Sequence, residues 1–305
     1  MRYIISFLLS ILPLAAMAEV PRVITDIPPI FGLTKSVMGD LGTPVLLLAK
    51  GADEHDFQLR PSQMRDIAAA ELAVWVGPKL TPWLDRALAG GDMMSLVLMD
   101  QAGTHVMDYV HHTGADHTGA DHTGADDTGA DHTDANPHLW MDPSNAAGWL
   151  ERIADALAKL DAEHANIYRT NAQAAKAQIA AMDAEISAQL APLRDRSFVT
   201  YHDAYGYFIQ AYGLNFAGAV ALGDATSAGA AHIQDLQDKM AGGVVCVFPE
   251  VQHDSDLLLQ LLAGTSARAG GGLDPVGSTL DATADTYLVL MRGLAKTLAD
   301  CLSGA

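Results

Sequence analysis

Three isolated histidines stand in settings that could support metal chemistry. His55 lies in Gly51-Ala52-Asp53-Glu54-His55-Asp56-Phe57, just past an apolar run at residues 44–50, and His138 lies in Asn136-Pro137-His138-Leu139-Trp140-Met141-Asp142-Pro143. His202 lies in Tyr201-His202-Asp203-Ala204-Tyr205-Gly206, directly after a second apolar run at residues 197–201. A neutral imidazole binds a transition metal through one ring nitrogen while the other donates to an acceptor that fixes tautomer and orientation. Glu54 and Asp56, Asp142, and Asp203 are the nearby acids that could serve as those acceptors. Singly, each histidine is better read as a surface or hydrogen-bonding residue. Together, at least two fall at C-terminal ends of strands, where open α/β sheets gather their ligands, and that favours a shared metal site. His105, His164, His232 and His253 lack such a setting and are read as surface residues.

A second kind of histidine occurs between the first two. From His111 the chain repeats a pentad, with units beginning at His112, His117, His122, Asp127 and His132, each completed by residues of the Thr-Gly-Ala-Asp type. The repeat contains no large apolar side chain, so burial cannot offset the entropy of ordering it, and a mobile loop over residues 111–135 is expected. Short His-rich tracts bind metals weakly, which makes His111, His112, His117, His122 and His132 auxiliary sites. The competing reading is a solvated acidic linker. The repeat runs directly into the stiff, Pro-bracketed segment that carries His138.

The elements that must hold these residues follow from the rest of the pattern. Residues 1–18 read as an export signal, an apolar run ending in Ala16-Met17-Ala18, with cleavage after Ala18 and a soluble, secreted product. No later run is apolar enough to span a membrane. The formal charge of −19 excludes a generic nucleic-acid binder. Cys246 and Cys301 are the only cysteines, and in an exported chain two most simply form one disulfide, leaving histidines and carboxylates for the metal. Short apolar runs at residues 44–50, 72–76 and 93–99, and again at 197–201, 216–222 and 244–248, alternate with helix-forming stretches. That is the rhythm of βα units on parallel sheets buried on both faces. Between the halves, residues 149–205 contain no glycine although the chain has 27, and Ala172, Ala175, Ile179, Met182, Ile186 and Leu190 recur at helical spacing. A rod joining two lobes and an ordinary packed helix pair both fit that pattern. The expected division is an N-terminal α/β lobe at 19–160, a connecting helix at 161–193 and a C-terminal α/β lobe at 194–305.

These motifs together resemble the metal-binding receptors of ABC transporters, specifically the zinc-uptake solute-binding proteins of the ZnuA type. The resemblance rests on GADEHDFQLR at 51–60 with Pro61-Ser62, NPHLWMDP at 136–143, YHDAYGYF at 201–208, VCVFPE at 245–250, and LDPVG at 273–277 followed by Tyr287 and Cys301. They occur in family order along nearly the whole mature chain. The resemblance implies two Rossmann-like lobes joined by a long rigid helix, with a metal in the interlobe cleft held by His55, His138 and His202. It also implies a periplasmic location, a Cys246–Cys301 bridge and a partner permease, with the acidic His-rich insertion as a feature of the zinc-type members.

Manganese-type members carry a glutamate where this chain has His202, and three imidazoles suit tetrahedral Zn²⁺ better than a harder ion. For the fourth position the resemblance offers Asp285, with Glu54 or water as alternatives and a helix N-cap as the other reading of Asp285. The expected function is capture of Zn²⁺ for import, by a monomer that is not an enzyme. A manganese- or iron-type receptor and a zinc buffer are the alternatives. A zinc hydrolase ranks last, because the chain has no HExxH and its ligands are scattered across both halves.

Overall fold

The computed structural model describes residues 19–109, 135–221, 229–253 and 256–304. The expected export segment and the pentad repeat up to residue 134 lie outside the described residues. Strands β1 (Val23–Thr25), β2 (Val45–Leu46), β3 (Leu72–Trp75) and β4 (Met94–Val97) form a parallel sheet in the order β2-β1-β3-β4. Strands β5 (Phe198–His202), β6 (Phe216–Ala221), β7 (Cys246–Phe248) and β8 (Arg268–Ala269) form a second parallel sheet with the equivalent order β6-β5-β7-β8. Parallel neighbours need crossovers. Helices α1 (Pro28–Met38), α2 (Pro61–Ala69) and α3 (Pro82–Leu88) supply them in the first lobe. In each sheet the order reverses beside its first strand, which opens a crevice at the strand C-termini.

Between the lobes run α4 (Pro143–Leu160) and α5 (Ala165–Leu190); α6 (Gly206–Tyr212), α7 (Ala230–Ala241) and α8 (Asp256–Leu261) belong to the second lobe, and α9 (Thr286–Leu302) closes the fold. Helices α1 to α4 all place proline in the first turn, where its missing N–H costs nothing and its fixed φ suits the helix. The 26 residues of α5 span about 39 Å at 1.5 Å per residue. Its buried stripe of Tyr168, Ala172, Ala175, Ile179, Met182, Ile186 and Leu190 packs on α4, α1 and α9. The helix is therefore both of the things its sequence allowed, a long rod and a packed one.

The core is shared rather than divided. One apolar cluster runs from the first sheet through α4, α5 and α9 to one face of the second sheet, where it takes in Phe198, Cys246 and Phe248. The alternate residues Val199 and Val247 point into a smaller cluster with Leu236 and Met240 of α7, as the period-two geometry of a strand requires. The Cys246–Cys301 disulfide ties β7 to the last turn of α9. Among the described residues, no helix is long and apolar enough to cross a membrane.

Candidate metal centre

His55 belongs to the loop between β2 and α2. Gly51 starts that loop at φ +75°, a conformation that side-chain-bearing residues rarely adopt, and its N–H donates to Ser278 O across the cleft at 2.9 Å. The Asp53 carboxylate accepts the His55 N–H at 2.8 Å. Trp83 of α3 donates its indole N–H to Glu54 O at 2.8 Å and packs edge-on against Phe57, holding the loop from beneath.

His138 is set by Asn136. The Asn136 Oδ1 lies 3.0 Å from the His138 backbone N–H and 2.8 Å from Nδ1, while its Nδ2 donates to Asp203 O at 3.1 Å. An amide oxygen only accepts, so Nδ1 carries the proton and Nε2 presents a lone pair. His202 ends β5, and its Nδ1 lies 2.7 and 2.9 Å from the two oxygens of Glu250, which sits two residues beyond β7. Tyr205 donates its hydroxyl to Glu250 Oε1 at 2.7 Å. Glu250 thus occupies the crevice where the order of the second sheet reverses, between β5 and β7.

The result is convergence. His138 Nε2 and His202 Nε2 are 3.3 Å apart, and one donor atom from each of His55, His138 and His202 falls within 4.8 Å of the others. Two ligands at the usual Zn–N distance that subtend the tetrahedral angle are separated by about 3.3 Å. His138 and His202 are buried. Burial, and then the neighbouring His202 and His55, hold the His138 imidazole well below its usual pKa, so the ring stays neutral and able to ligate. Glu54 is buried with Oε1 3.7 Å from His55 Nε2, and burial pushes its carboxyl up to about 8. An open concavity of about 890 Å³ between α2, α3 and β4 lies away from this centre and is mostly apolar. A bare ion needs donor atoms rather than a large cavity.

Several sequence-based expectations are corrected. Asp285 is exposed at the N-cap of α9, beside Lys35, Asp40 and Asn171, and it is not brought to the histidines. Asp142 does not orient His138: one oxygen caps α4 at Ser144 N and the other meets His105 Nδ1 at 2.9 Å. The orienting acceptors are Asn136 and Glu250. Asn136 stands two residues before its ring but is not acidic, and Glu250 is 48 residues from the ring it serves. His164 and His232 are half-buried with fixed partners, Asp161 at 2.7 Å and Ala219 O at 2.7 Å. His253, read as a surface residue, stacks on Tyr201 and approaches Glu250 Oε2 at 3.5 Å. Asp274 is engaged in shaping its own loop, accepting from Ser278 N, Thr279 N, Thr279 Oγ1 and Gln252 Nε2 at 2.8 to 3.0 Å.

Two equivalent parallel α/β lobes on a shared helical spine, with imidazoles from both converging between them, define a two-lobed binding protein with a candidate metal centre. Residues 23–301 match the family described as zinc-uptake complex component A, periplasmic (ZnuA), and the chain belongs to that family. It is 46% identical over 306 residues to the high-affinity zinc uptake system protein ZnuA of Paracoccus denitrificans, covering 95% of this chain and 94% of that one. The protein of the same name from Brucella suis biovar 1 is 36% identical over 306 residues, covering 92% and 91%. In fold the chain is similar to the laminin-binding protein Lmb of Streptococcus agalactiae, with a TM-score of 0.76 at 21% identity over 92% of this chain and 99% of that one.

Proposed function

We propose that this protein captures Zn²⁺ in the periplasm with high affinity and delivers it to an ABC permease for import. His55, His138 and His202 are the ligands, and Glu54 is the fourth donor in place of Asp285. The observation that carries this reading is the pair of buried Nε2 atoms 3.3 Å apart, each on a ring whose Nδ1 faces an acceptor oxygen. Two lone pairs aimed at one point repel unless a cation lies between them, and a tetrahedral ion of zinc's size matches the gap. Three imidazoles favour Zn²⁺ over Mn²⁺, which prefers oxygen donors.

The site acts as a trap rather than a catalyst. Its histidines are buried or half-buried, and the nearest carboxylate, Glu54, stands within reach of the ion where it closes the coordination sphere. A hydrolase needs an open coordination position facing substrate. Export through the segment at residues 1–18 fits the family's periplasmic description. The test is a zinc-edge anomalous map from crystals of zinc-loaded protein, paired with an ester- and peptide-hydrolysis assay. One strong peak bounded by His55, His138 and His202 with no turnover is expected. A peak elsewhere, or zinc-dependent hydrolysis, would overturn the reading.

A further inference from the structure

We propose a second, weaker zinc site immediately outside the first, formed by Glu250 and His253 with His202 at its back; it rests on His55, His138 and His202 being the inner site. His253 follows Glu250 by three residues on the loop after β7. Its Nε2 lies 3.5 Å from Glu250 Oε2, against about 3.3 Å for a nitrogen and an oxygen sharing tetrahedral zinc. One donor atom from each of His202, Glu250 and His253 falls within 4.8 Å of the others, and the His202 and His253 rings are 6.0 Å apart. Stacking on Tyr201 at 4.6 Å and 15° holds the His253 ring in place.

The atoms are available for this role. Glu250 Oε1 serves the Tyr205 hydroxyl and the His202 Nδ1, while Oε2 meets Nδ1 at 2.7 Å and is the oxygen facing His253. A carboxylate oxygen has a lone pair to spare beyond one N–H bond, so an ion can join Oε2 to His253 Nε2 while His202 keeps its proton and its inner lone pair. Exposure rises outward, from 0% for the Glu250 side chain and 5% for His202 to 30% for His253. The outer pair therefore meets solvent first and holds an ion one imidazole away from the deep trap. Two dications on opposite sides of one ring repel, so the outer site fills only in excess zinc once the inner one is occupied. It holds one further ion at the cleft mouth when zinc is in excess.

The experiment is a zinc-edge anomalous map on crystals of the full chain soaked first in equimolar and then in excess zinc, repeated on His253→Phe, which keeps the stack on Tyr201 and removes the donor. The expected result is an inner peak under both conditions, with a second peak between Glu250 and His253 only in excess zinc and absent from the variant. An inner peak without a second one in excess zinc overturns the outer site alone. A second peak that survives in His253→Phe marks an adventitious ion and also overturns it. An empty inner site overturns both readings together.

Discussion

Glu250 holds the Nδ1 of His202 on the side away from His138, and its replacement should weaken zinc binding in two graded steps. In Glu250→Gln the amide oxygen can still accept from His202 Nδ1–H, and the amide NH₂ can donate to the Tyr205 hydroxyl, which reverses its role. The geometry survives and only the charge is lost. Outer partners of metal-bound histidines are worth about 10- to 100-fold in affinity. The glutamine variant belongs at the lower end, about tenfold or 1.4 kcal/mol. In Glu250→Ala both the His202 N–H and the Tyr205 O–H are left buried without this acceptor. Zinc should then bind about 100-fold more weakly, and the fold should also lose about 1–3 kcal/mol for each orphaned group. The assay is competition against a chromogenic chelator at equimolar zinc, so that only the tightest site fills, with thermal unfolding of the metal-free proteins alongside. Wild-type affinity in both variants would refute the idea that Glu250 orients His202. Equal losses in the two would refute the separation of charge from geometry.

Other outcomes follow from the same geometry. His55→Ala, His138→Ala and His202→Ala should each weaken tight binding by orders of magnitude, and Glu54→Gln should weaken it less, whereas Asp285→Ala should titrate like wild type; a large loss from Asp285→Ala would falsify the placement of the fourth donor. Zinc should outcompete manganese by orders of magnitude in a mixed-metal titration, and comparable affinities would move the chain to the manganese branch of its family. Because burial, and then the neighbouring His202 and His55, hold the His138 pKa well below its usual value, protons should displace an ion at the three histidines only at pH well below 6.5. Deleting residues 113–134 should accordingly leave one tight zinc that persists at pH 6 and remove weaker equivalents seen at pH 7.5; calorimetry giving one equivalent for both proteins would refute a capture role for the repeat. Breaking Cys246–Cys301 by a Cys246→Ala/Cys301→Ala double substitution should cost about 4 kcal/mol in denaturant unfolding, and an unchanged midpoint would contradict the chain-entropy account.

The lobes were legible because a parallel strand buried on both faces must read as a short apolar run, and Leu72–Trp75 or Cys246–Phe248 cannot easily read otherwise. β1 escaped notice because Val23–Thr25 is three residues with no period to detect. β2 was expected over residues 44–50, but the strand is Val45–Leu46; Leu47 and Leu48 still donate to Thr25 O and Asp26 O before the chain leaves toward His55. The three clustered histidines were legible from context, and their supports were not. The His202 Nδ1 bonds Glu250 rather than Asp203, the acid nearest in sequence, which lies past the end of β5. Glu250 is 48 residues distant and arrives only when β5 and β7 pair. Asp142 was drawn instead to the orphan N–H groups of α4, a demand every helix start makes.

The shared core carries a kinetic implication. Trp140 and Tyr287 are fully buried, Tyr287 donates to Trp140 O at 3.1 Å and Trp140 donates to Pro275 O at 2.9 Å, stitching both lobes to one interior. Swinging the lobes apart would wet side chains worth about 1.5–3 kcal/mol each, which makes wide opening a rare event. The His55 loop is held to the opposite lobe by less than this. It starts at Gly51 and meets the opposite lobe through the Gly51–Ser278 bond and the exposed Lys50–Asp281 pair at 2.8 Å. Lifting that loop would break two polar contacts and leave the shared apolar core closed, so access to the three histidines need not cost the separation of the lobes.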